Sequence, residues 1–266
     1  MADLLDVHRT GGIARLVMHR GGNNAIAPDL MQELAAAFTD VGADSDVRVV
    51  VLESAYDRYF SVGADLSEMG SLDRDAPGLE EQVVRLLARS AAGFAAIAAC
   101  PKPVIARLNG HALGGGCELA LCCDYRIMVE DGRARIGQTE AALGIMPGAG
   151  GTQRLVRLIG RASALPLLFE ARRLSAEEAR AIGLVNQAVP PEELDPAVGV
   201  LAERLARSAT LAVGLIKDSL NRGQDLPLTE ALDLEARNFA RAALSQDALI
   251  GIISFFEKQD PEFIGR

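Results

Sequence analysis

The chain has 266 residues, of which 49% are hydrophobic and 24% are charged, and its formal net charge is −9. This composition is typical of a globular protein with one large core. An acidic chain without a cluster of lysines and arginines is not expected to bind nucleic acid as its main partner. No apolar run approaches the roughly 20 residues that a membrane span needs, and "MADLLDVHRT" resembles neither a signal nor a transit peptide. The sequence therefore predicts a cytoplasmic protein with no membrane and no nucleic-acid partner.

Short apolar strands alternate with helices through the first half of the chain. The segments LLDVHRT and GIARLVMHR flank Gly11 and Gly12, which is typical of a β-hairpin. The elements predicted after the hairpin are a helix over 28–44, a strand over 47–54, a helix over 79–99, a strand over 102–110, a helix from Gly114 and a strand over 124–130. This alternation predicts an α/β fold with crossover connections.

Helices dominate the remainder of the chain. A capping box of Ser175 and Glu178 begins a helix that we expect to end at Gly183. Pro166 is expected to start or kink the helix that contains it. Two longer amphipathic stretches follow, over 201–223 and 229–259.

This change of character divides the chain into two predicted regions. Residues 1–195 form a core that carries the functional site, and residues 196–266 form a C-terminal helical region. Sequence allows such a helical tail to pack across a neighbouring subunit or to form a lid on its own chain.

Four cysteines lie close together in the sequence, at Cys100, Cys117, Cys122 and Cys123. Zinc sites are typically built from spaced cysteine pairs or from added histidines, and only His111 is near. We therefore predict small buried thiols and no metal site.

Three glycine-bearing segments are predicted to lie where strands end and helices begin. They read YFSVGADLSEM (59–69), NGHALGGGCELA (109–120) and GQTEAALGIMPGAGGTQRL (137–155). Glycine permits close backbone approach, and the N-terminus of a helix offers unpaired N–H donors. Two such loops that faced one point would form an oxyanion hole for a reaction that builds negative charge on a carbonyl oxygen.

Carboxylates occur in all three segments. Taken alone, Glu118 and Glu140 are typical of ordinary helix residues, and Asp65 is typical of a helix cap. Glu118 is nevertheless unusual, because it follows three glycines and opens an apolar helical stretch where an unpaired carboxylate would be costly to bury.

The three segments resemble, in the same order, the signature motifs of the enoyl-CoA hydratase/isomerase family, also called the crotonase family. The similarity continues through LSAEEARAIGLVNQAV and FFEKQDPEFIG, so it covers essentially the whole chain. The resemblance implies a ClpP/crotonase-like spiral of ββα units, with C-terminal helices that complete a homotrimer or a hexamer formed as a dimer of trimers. It also implies an acyl-CoA substrate and a role in fatty acid metabolism.

The resemblance assigns roles to individual residues of this sequence. The backbone N–H groups of Ala64 and Gly115 correspond to the donors that hold the thioester oxygen. Glu118 and Glu140 correspond to the two catalytic carboxylates of the hydratases, which add water to a 2-enoyl-CoA to give a 3-hydroxyacyl-CoA. Beside Ala64 and Gly115, the adjoining residues Asp65, Leu66 and Ser67 are expected to contact the substrate.

In this scheme Glu118 acts as base toward the water and Glu140 delivers a proton to C2 of the acyl chain. Two close carboxylates should also raise at least one apparent pKa. The same loops could serve an enoyl-CoA isomerase, a branched-chain or hydroxyacyl hydratase, or a thioester hydrolase. A non-catalytic RNA-binding protein or a structural subunit on this fold is a further alternative.

The sequence departs from the family pattern where lysines commonly meet the CoA phosphates. The turn HRGGNNAIAP (19–28) has no lysine, and Ser67 stands where the family often has one. Arg20 or Lys258 is expected to substitute. The segment 67–87 is expected to line the acyl pocket, and no cofactor is expected beyond the CoA of the substrate.

Overall fold

The computed structural model describes residues 4–70, 72–73 and 75–266, without the side chains of Glu68 and Met69. Nine strands are found among these residues. In chain order they are β1 (Leu5–Thr10), β2 (Ile13–Met18), β3 (Val49–Ser54), β4 (Tyr59–Ser61), β5 (Val104–Leu108), β6 (His111–Leu113), β7 (Tyr125–Val129), β8 (Ile136–Gly137) and β9 (Gln187–Val189).

Ten α-helices and one 3-10 helix accompany the strands in the described part of the chain. They are α1 (Pro28–Ala43), α2 (Ser67–Gly70), α3 (Leu79–Ala99), α4 (Gly115–Leu121), the 3-10 helix (Glu140–Leu143), α5 (Gly151–Phe169), α6 (Ala176–Ala181), α7 (Pro191–Ala206), α8 (Thr210–Gly223), α9 (Leu228–Ala243) and α10 (Gln246–Glu257).

The strands form two sheets that share a repeated connection. The larger sheet has the order β1-β2-β3-β5-β7-β9, and the smaller has the order β4-β6-β8. Apart from the antiparallel β1–β2 hairpin, the paired strands run parallel. Three times the chain runs from a strand of the larger sheet to one of the smaller sheet and then into a helix, as in β5, β6 and α4. This is the ββα repeat that the family resemblance implied.

Residue chemistry explains why the larger sheet forms the core. All six residues of β3 are buried, as expected for a β-branched strand covered on both faces. Its one carboxylate, Glu53, is paired with Arg15, whose guanidinium Nη2 lies 2.7 Å from the carboxylate Oε2. α7 packs against β3, β5 and β7, and α1 packs against α3.

Local signals in the sequence placed several elements correctly. Gly11 and Gly12 have φ of +59° and +81°, which is the left-handed geometry that a tight hairpin turn requires. The capping box is also confirmed: Glu178 N donates to Ser175 Oγ at 3.2 Å, and Ser175 N donates to Glu178 Oε2 at 2.9 Å. The four cysteines are buried free thiols, as predicted.

The two amphipathic stretches predicted near the C-terminus are helical, and each contains a break. The stretch 201–223 contains the end of α7 and the whole of α8. The stretch 229–259 contains α10 and all of α9 but its first residue, and these two helices meet at a bend of 72°. Ser245 caps the start of α10 by accepting a hydrogen bond from Ala248 N at 3.0 Å.

The kink in α5 lies elsewhere than predicted. Pro166 was expected to start or kink its helix, but the non-helical residue is Gly160, with φ +75° and ψ 158°. Pro166 stays inside the helical segment that follows Gly160. The predicted boundary between residues 195 and 196 falls inside α7, which runs from Pro191 to Ala206.

Among the described residues, one helix, α3, is long and apolar enough by length and composition to cross a membrane. α9 and α10 pass the same test only if the bent pair is counted as one span. No apolar run of this length was expected from the sequence, and α3 contains two arginines, Arg85 and Arg89. In this structure α3 packs closely on α1. A Cβ added at Gly93 would lie 2.7 Å from the backbone oxygen of Met31.

Candidate active site

A cavity of about 1610 Å³ lies among α3, α4, α8 and the start of α5. Ala64, Gly115, Glu118 and Glu140 all line it. The two expected backbone donors and the two expected carboxylates, which come from three separate segments of sequence, therefore open onto one space.

The substrate-contact residues expected beside the donors are divided by the structure. Asp65 lines the cavity, whereas Leu66 and Ser67 are exposed beside it. The Asp65 carboxylate accepts hydrogen bonds from the hydroxyl of Ser67 at 2.7 Å and from its N–H at 3.2 Å. These two bonds, with a further contribution from Arg20, lower the pKa of Asp65. Asp65 thus stabilises the start of α2, which matches the capping role that its residue type suggested.

The N–H groups of Ala64 and Gly115 belong to two segments that lie next to each other, a loop and the start of α4. Ala64 forms an isolated parallel bridge with Ile26, and the bonds of that bridge use Asp65 N and the oxygen of Gly63 rather than Ala64 N. Gly115 is the first residue of α4, where N–H groups have no partner within the helix. A Cβ added at Gly115 would lie 3.4 Å from Ala64 N, which shows how closely the two loops approach.

Two glycines are required for this approach. Gly63 has φ +96°, and a Cβ there would lie 2.7 Å from the backbone oxygen of Leu113 and 3.1 Å from Gly115 N. Gly114 has φ +53°, and its Cβ would lie 2.9 Å from Oε1 of Glu140. A larger residue at position 63 would push apart the two loops, because the atoms it meets belong to the backbone, whereas one at position 114 would displace the Glu140 carboxylate.

Glu118 is almost fully buried, with 3% of its surface exposed, in the first turn of α4. Its Oε1 accepts hydrogen bonds from Ala149 N at 2.8 Å and from Gly151 N at 2.7 Å. Burial raises the pKa of Glu118, and the two N–H donors and the charge of Arg154 oppose that rise. A carboxylate in this position is therefore held by the third glycine-bearing segment.

Sequence reasoning missed Ala149 and Gly151 as partners of Glu118. The available signal was a run of small residues with unpaired N–H groups at the N-terminus of α5, which is a typical anion-binding arrangement.

Glu140 faces the same cavity from the 3-10 helix and is 9% exposed. Burial, followed by the charge of Glu118, raises the pKa of Glu140. The expectation of at least one raised pKa is confirmed, although burial rather than mutual repulsion is the larger cause. With its amide nitrogen turned toward Glu140, buried Gln138 donates to both carboxylate oxygens at 3.3 and 3.1 Å.

The two cations expected to replace the missing lysines are placed differently. Arg20 is already engaged: it donates to Asp29 at 2.9 Å, to Asp65 at 3.1 Å and to the backbone oxygen of Ala25 at 3.1 Å. Lys258 follows α10 and is exposed, away from the residues that line the cavity.

The expected acyl-pocket segment, 67–87, is described except at positions 71 and 74 and for the side chains of Glu68 and Met69. Val83, Leu86 and Leu87 of α3 line the cavity. Leu87 lies close to the loop that binds Glu118, because a Cβ at Gly148, next to Ala149, would lie 3.1 Å from its Cδ2. One wall of the cavity is therefore apolar.

The opposite end of the cavity is polar. Lys217 of α8 donates to Asp124 at 2.7 Å, and Asp124 also accepts from Val104 N at 2.8 Å. Asp124 therefore anchors the turn before β7. Over the described part of the chain, no three His, Cys, Asp or Glu side chains are grouped so that they could hold a metal ion.

Comparison with known proteins agrees with this geometry. A model of the enoyl-CoA hydratase/isomerase family matches residues 8–266. The chain is 41% identical over 247 residues to crotonyl-CoA hydratase of Syntrophomonas wolfei, covering 91% of this chain and 90% of that protein. It is 37% identical over 257 residues to short-chain-enoyl-CoA hydratase of Clostridium acetobutylicum, covering 96% and 95%. The crystal structure of an enoyl-CoA hydratase from Bacillus anthracis superposes with a TM-score of 0.90 at 35% identity, covering 99% of this chain and 100% of that one.

Proposed function

The chain belongs to the enoyl-CoA hydratase/isomerase family, and we propose that it is an enoyl-CoA hydratase that adds water across the double bond of a 2-enoyl-CoA to give a 3-hydroxyacyl-CoA. The observation that carries this proposal is the convergence of two buried carboxyl groups and two backbone N–H donors on one cavity. The names of its relatives support short-chain substrates, and crotonyl-CoA is the first to test.

The N–H groups of Ala64 and Gly115 would bind the thioester oxygen. When water adds to C3, electrons of the double bond move toward that oxygen and give it enolate character. Donors placed for this charge stabilise the transition state more than the substrate, which is the requirement for catalysis. Removing one such donor typically lowers kcat by about 10²- to 10³-fold.

The environments of the two carboxyl groups support different roles. Two N–H donors and the charge of Arg154 favour the ionised form of Glu118, so it is suited to accept a proton from water. Burial raises the pKa of both carboxyl groups. In Glu140 the charge of Glu118 raises it further, while the N–H groups of Glu140 and Thr139 lower it. We assign proton delivery to Glu140 because its carboxyl group is buried beside the Glu118 anion.

The proposed reaction balances without another reactant. Glu118 takes a proton from the water as the water oxygen bonds to C3. Glu140 delivers its proton to C2 as the enolate collapses back to the thioester. The proton on Glu118 then replaces the one lost by Glu140, so that one water is added in each cycle. We propose that no cofactor takes part beyond the CoA of the substrate, and unchanged activity after dialysis against a chelator tests this.

The test is the loss of enoyl-thioester ultraviolet absorbance with crotonyl-CoA, measured for the wild type and for E118Q and E140Q. Glutamine keeps the shape of each side chain, and at position 118 its oxygen still accepts from Ala149 and Gly151. We expect each variant to lose about 10²-fold or more in kcat, because an acid–base group is removed. E203Q, on the exposed face of α7, is the matched control and should keep wild-type activity.

A wild type that leaves the absorbance of crotonyl-CoA unchanged while binding it would contradict hydration of this substrate. Variants E118Q and E140Q with the activity of E203Q would contradict the assigned carboxylate roles.

Exposed apolar side chains near the C-terminus support self-assembly. Phe255 and Phe256 of α10 are each 78% exposed, and Phe239 of α9 is 73% exposed. Large apolar side chains left this exposed are typical of an interaction site. We propose that α8–α10 build a homotrimer, alone or within a hexamer. A sedimentation mass of three or six chains is expected, and a monomer would contradict the proposal.

We also propose a cytoplasmic location and a role in fatty acid metabolism. Four unpaired thiols fit a reducing compartment. Cell fractionation followed by immunodetection tests the location, and enrichment of the protein outside the cytoplasmic fraction would overturn it.

A further inference from the structure

We propose that Arg154 is a positioning residue for Glu118: its guanidinium holds the loop whose N–H groups bind that carboxylate, and it supplies a cation that faces it. The proposal rests on the proposed function, because it assigns Arg154 a part in readying Glu118 to activate water.

The hydrogen bonds of Arg154 enclose the loop from one side. Its Nη1 donates to the backbone oxygen of Ala149 at 2.8 Å, and its own N–H donates to the oxygen of Gly150 at 2.8 Å. The peptide unit that Nη1 contacts lies between the two N–H groups, of Ala149 and Gly151, that donate to Glu118. A shift of that peptide unit would therefore misplace both donors at once.

Gly150 lets the guanidinium come this close. It has φ +105°, and a Cβ there would lie only 2.1 Å from Nη1 of Arg154. A side chain at position 150 would displace the guanidinium from the loop. The glycine between Ala149 and Gly151 thus serves the Arg154 contact as well as the backbone turn.

Among the residues that the structure describes, Arg154 forms no ion pair. Of the four other cations that line the cavity, Lys217, Arg157 and Arg222 each pair with an aspartate, and Arg126 donates to backbone oxygens. Arg154, among the described residues, contacts a carbonyl oxygen instead. Its charge is therefore available to act on a nearby carboxylate.

The groups that face Glu118 come from three elements. Arg154 comes from α5, Glu140 from the 3-10 helix, and the thiols of Cys117 and Cys122 from α4 and the residue that follows it. Burial raises the pKa of Cys122 to about 11 and that of Cys117 further, so both thiols stay neutral at physiological pH. Arg154 lowers the pKa of Glu118, whereas burial raises it.

The test compares R154K, which keeps the charge, with R154Q, which keeps a hydrogen-bond donor but loses the charge. R161M, on the same helix beyond the Gly160 break and exposed, is the control. The pH dependence of kcat/KM with crotonyl-CoA is measured for each. In parallel, the carboxyl carbon of Glu118 is titrated by ¹³C NMR in glutamate-labelled protein, with its resonance assigned from E118Q.

We expect R154Q to lose about tenfold or more in kcat with little change in KM, since a positioning defect acts on the chemical step. The acidic limb of its kcat/KM–pH profile and the NMR titration of Glu118 should both move to higher pH, because the cation that favoured the ionised form of Glu118 is gone. R154K should keep the wild-type limb and recover part of kcat. R161M should match the wild type throughout.

Identical acidic limbs and identical Glu118 titrations in R154Q and R154K would overturn the proposal. The NMR titration decides it even if the wild type proves inactive toward crotonyl-CoA, an outcome that would count against the proposed function alone.

Discussion

Replacing Gly63 by alanine tests whether close contact between two loops sets the geometry of the proposed oxyanion hole. Gly63 has φ +96°, so the substitution strains the backbone by about 1–2 kcal/mol. It also introduces a steric conflict, since the new Cβ would lie 2.7 Å from the oxygen of Leu113 and 3.1 Å from Gly115 N. Backbone atoms cannot rotate out of the way, so the loop carrying Ala64 must move away from the loop carrying Gly115.

The expected effect on catalysis follows from that movement. If one of the two N–H donors no longer reaches the thioester oxygen, kcat falls by about 10²-fold or more, equivalent to roughly 3 kcal/mol of transition-state stabilisation. KM should change less, because the donors bind the enolate-like oxygen more strongly than the ground-state carbonyl.

The assay is hydration of crotonyl-CoA by G63A, with thermal melting recorded in parallel. G132A is the matched control, because Gly132 also has positive φ, +73°, but a Cβ there meets nothing within 4 Å. G132A should lose stability by about 1 kcal/mol from strain and keep its kcat. A kcat for G63A equal to that of G132A would refute the reasoning, since strain without loop displacement would then explain both.

Two further predictions concern stability. Burial raises the pKa of Glu140, so its protonated form stabilises the fold at low pH and this contribution is lost as pH rises through the folded-state pKa. In thermal melts across a pH series, E140Q should therefore melt at a higher temperature than the wild type at pH 8. The difference in melting temperature should vanish below pH 4.5, the ordinary glutamate pKa. The same difference at pH 8 and below pH 4.5 would contradict this. K217M leaves the Asp124 carboxylate without its ammonium partner and should cost about 2 kcal/mol in urea denaturation, less than for a fully buried pair because Asp124 is 26% exposed. R222M, which breaks the exposed pair with Asp218, should cost about 0.5 kcal/mol or less, and equal losses in the two variants would show that burial of the pair is irrelevant.

Elements governed by neighbouring residues could be predicted from the sequence. The hairpin at Gly11 and Gly12 and the capping box at Ser175 depend on residues a few positions apart, so their patterns identify them directly. The break in α5 could not be predicted in the same way. Pro166 is a strong helix-disrupting signal, yet it lies within the helix, while the break occurs at Gly160. An isolated glycine in a helical pattern does not by itself indicate a break.

In the candidate site, too, residues within a motif could be predicted from the sequence, whereas contacts between distant segments could not. Motifs indicated Glu118 and Glu140 and the loops around them, because a family pattern preserves residue types and order. The partners of Glu118 come from 31 and 33 positions further along the chain, where only backbone N–H groups are used. Backbone donors leave no side-chain signature, so the contacts from Ala149 and Gly151 required the folded structure. Arg20, expected to meet a CoA phosphate, is paired with Asp29 and with Asp65, which is 45 positions away in the sequence.

Identification of the product decides whether this chain adds water to an enoyl-CoA. Crotonyl-CoA is incubated with the protein in water enriched in ¹⁸O, and the product is analysed by mass spectrometry and NMR. A hydratase should yield a thioester heavier by one labelled water, with the hydroxyl on C3 and a new hydrogen on C2. An unchanged mass with a displaced double bond, or the release of free CoA, would contradict it.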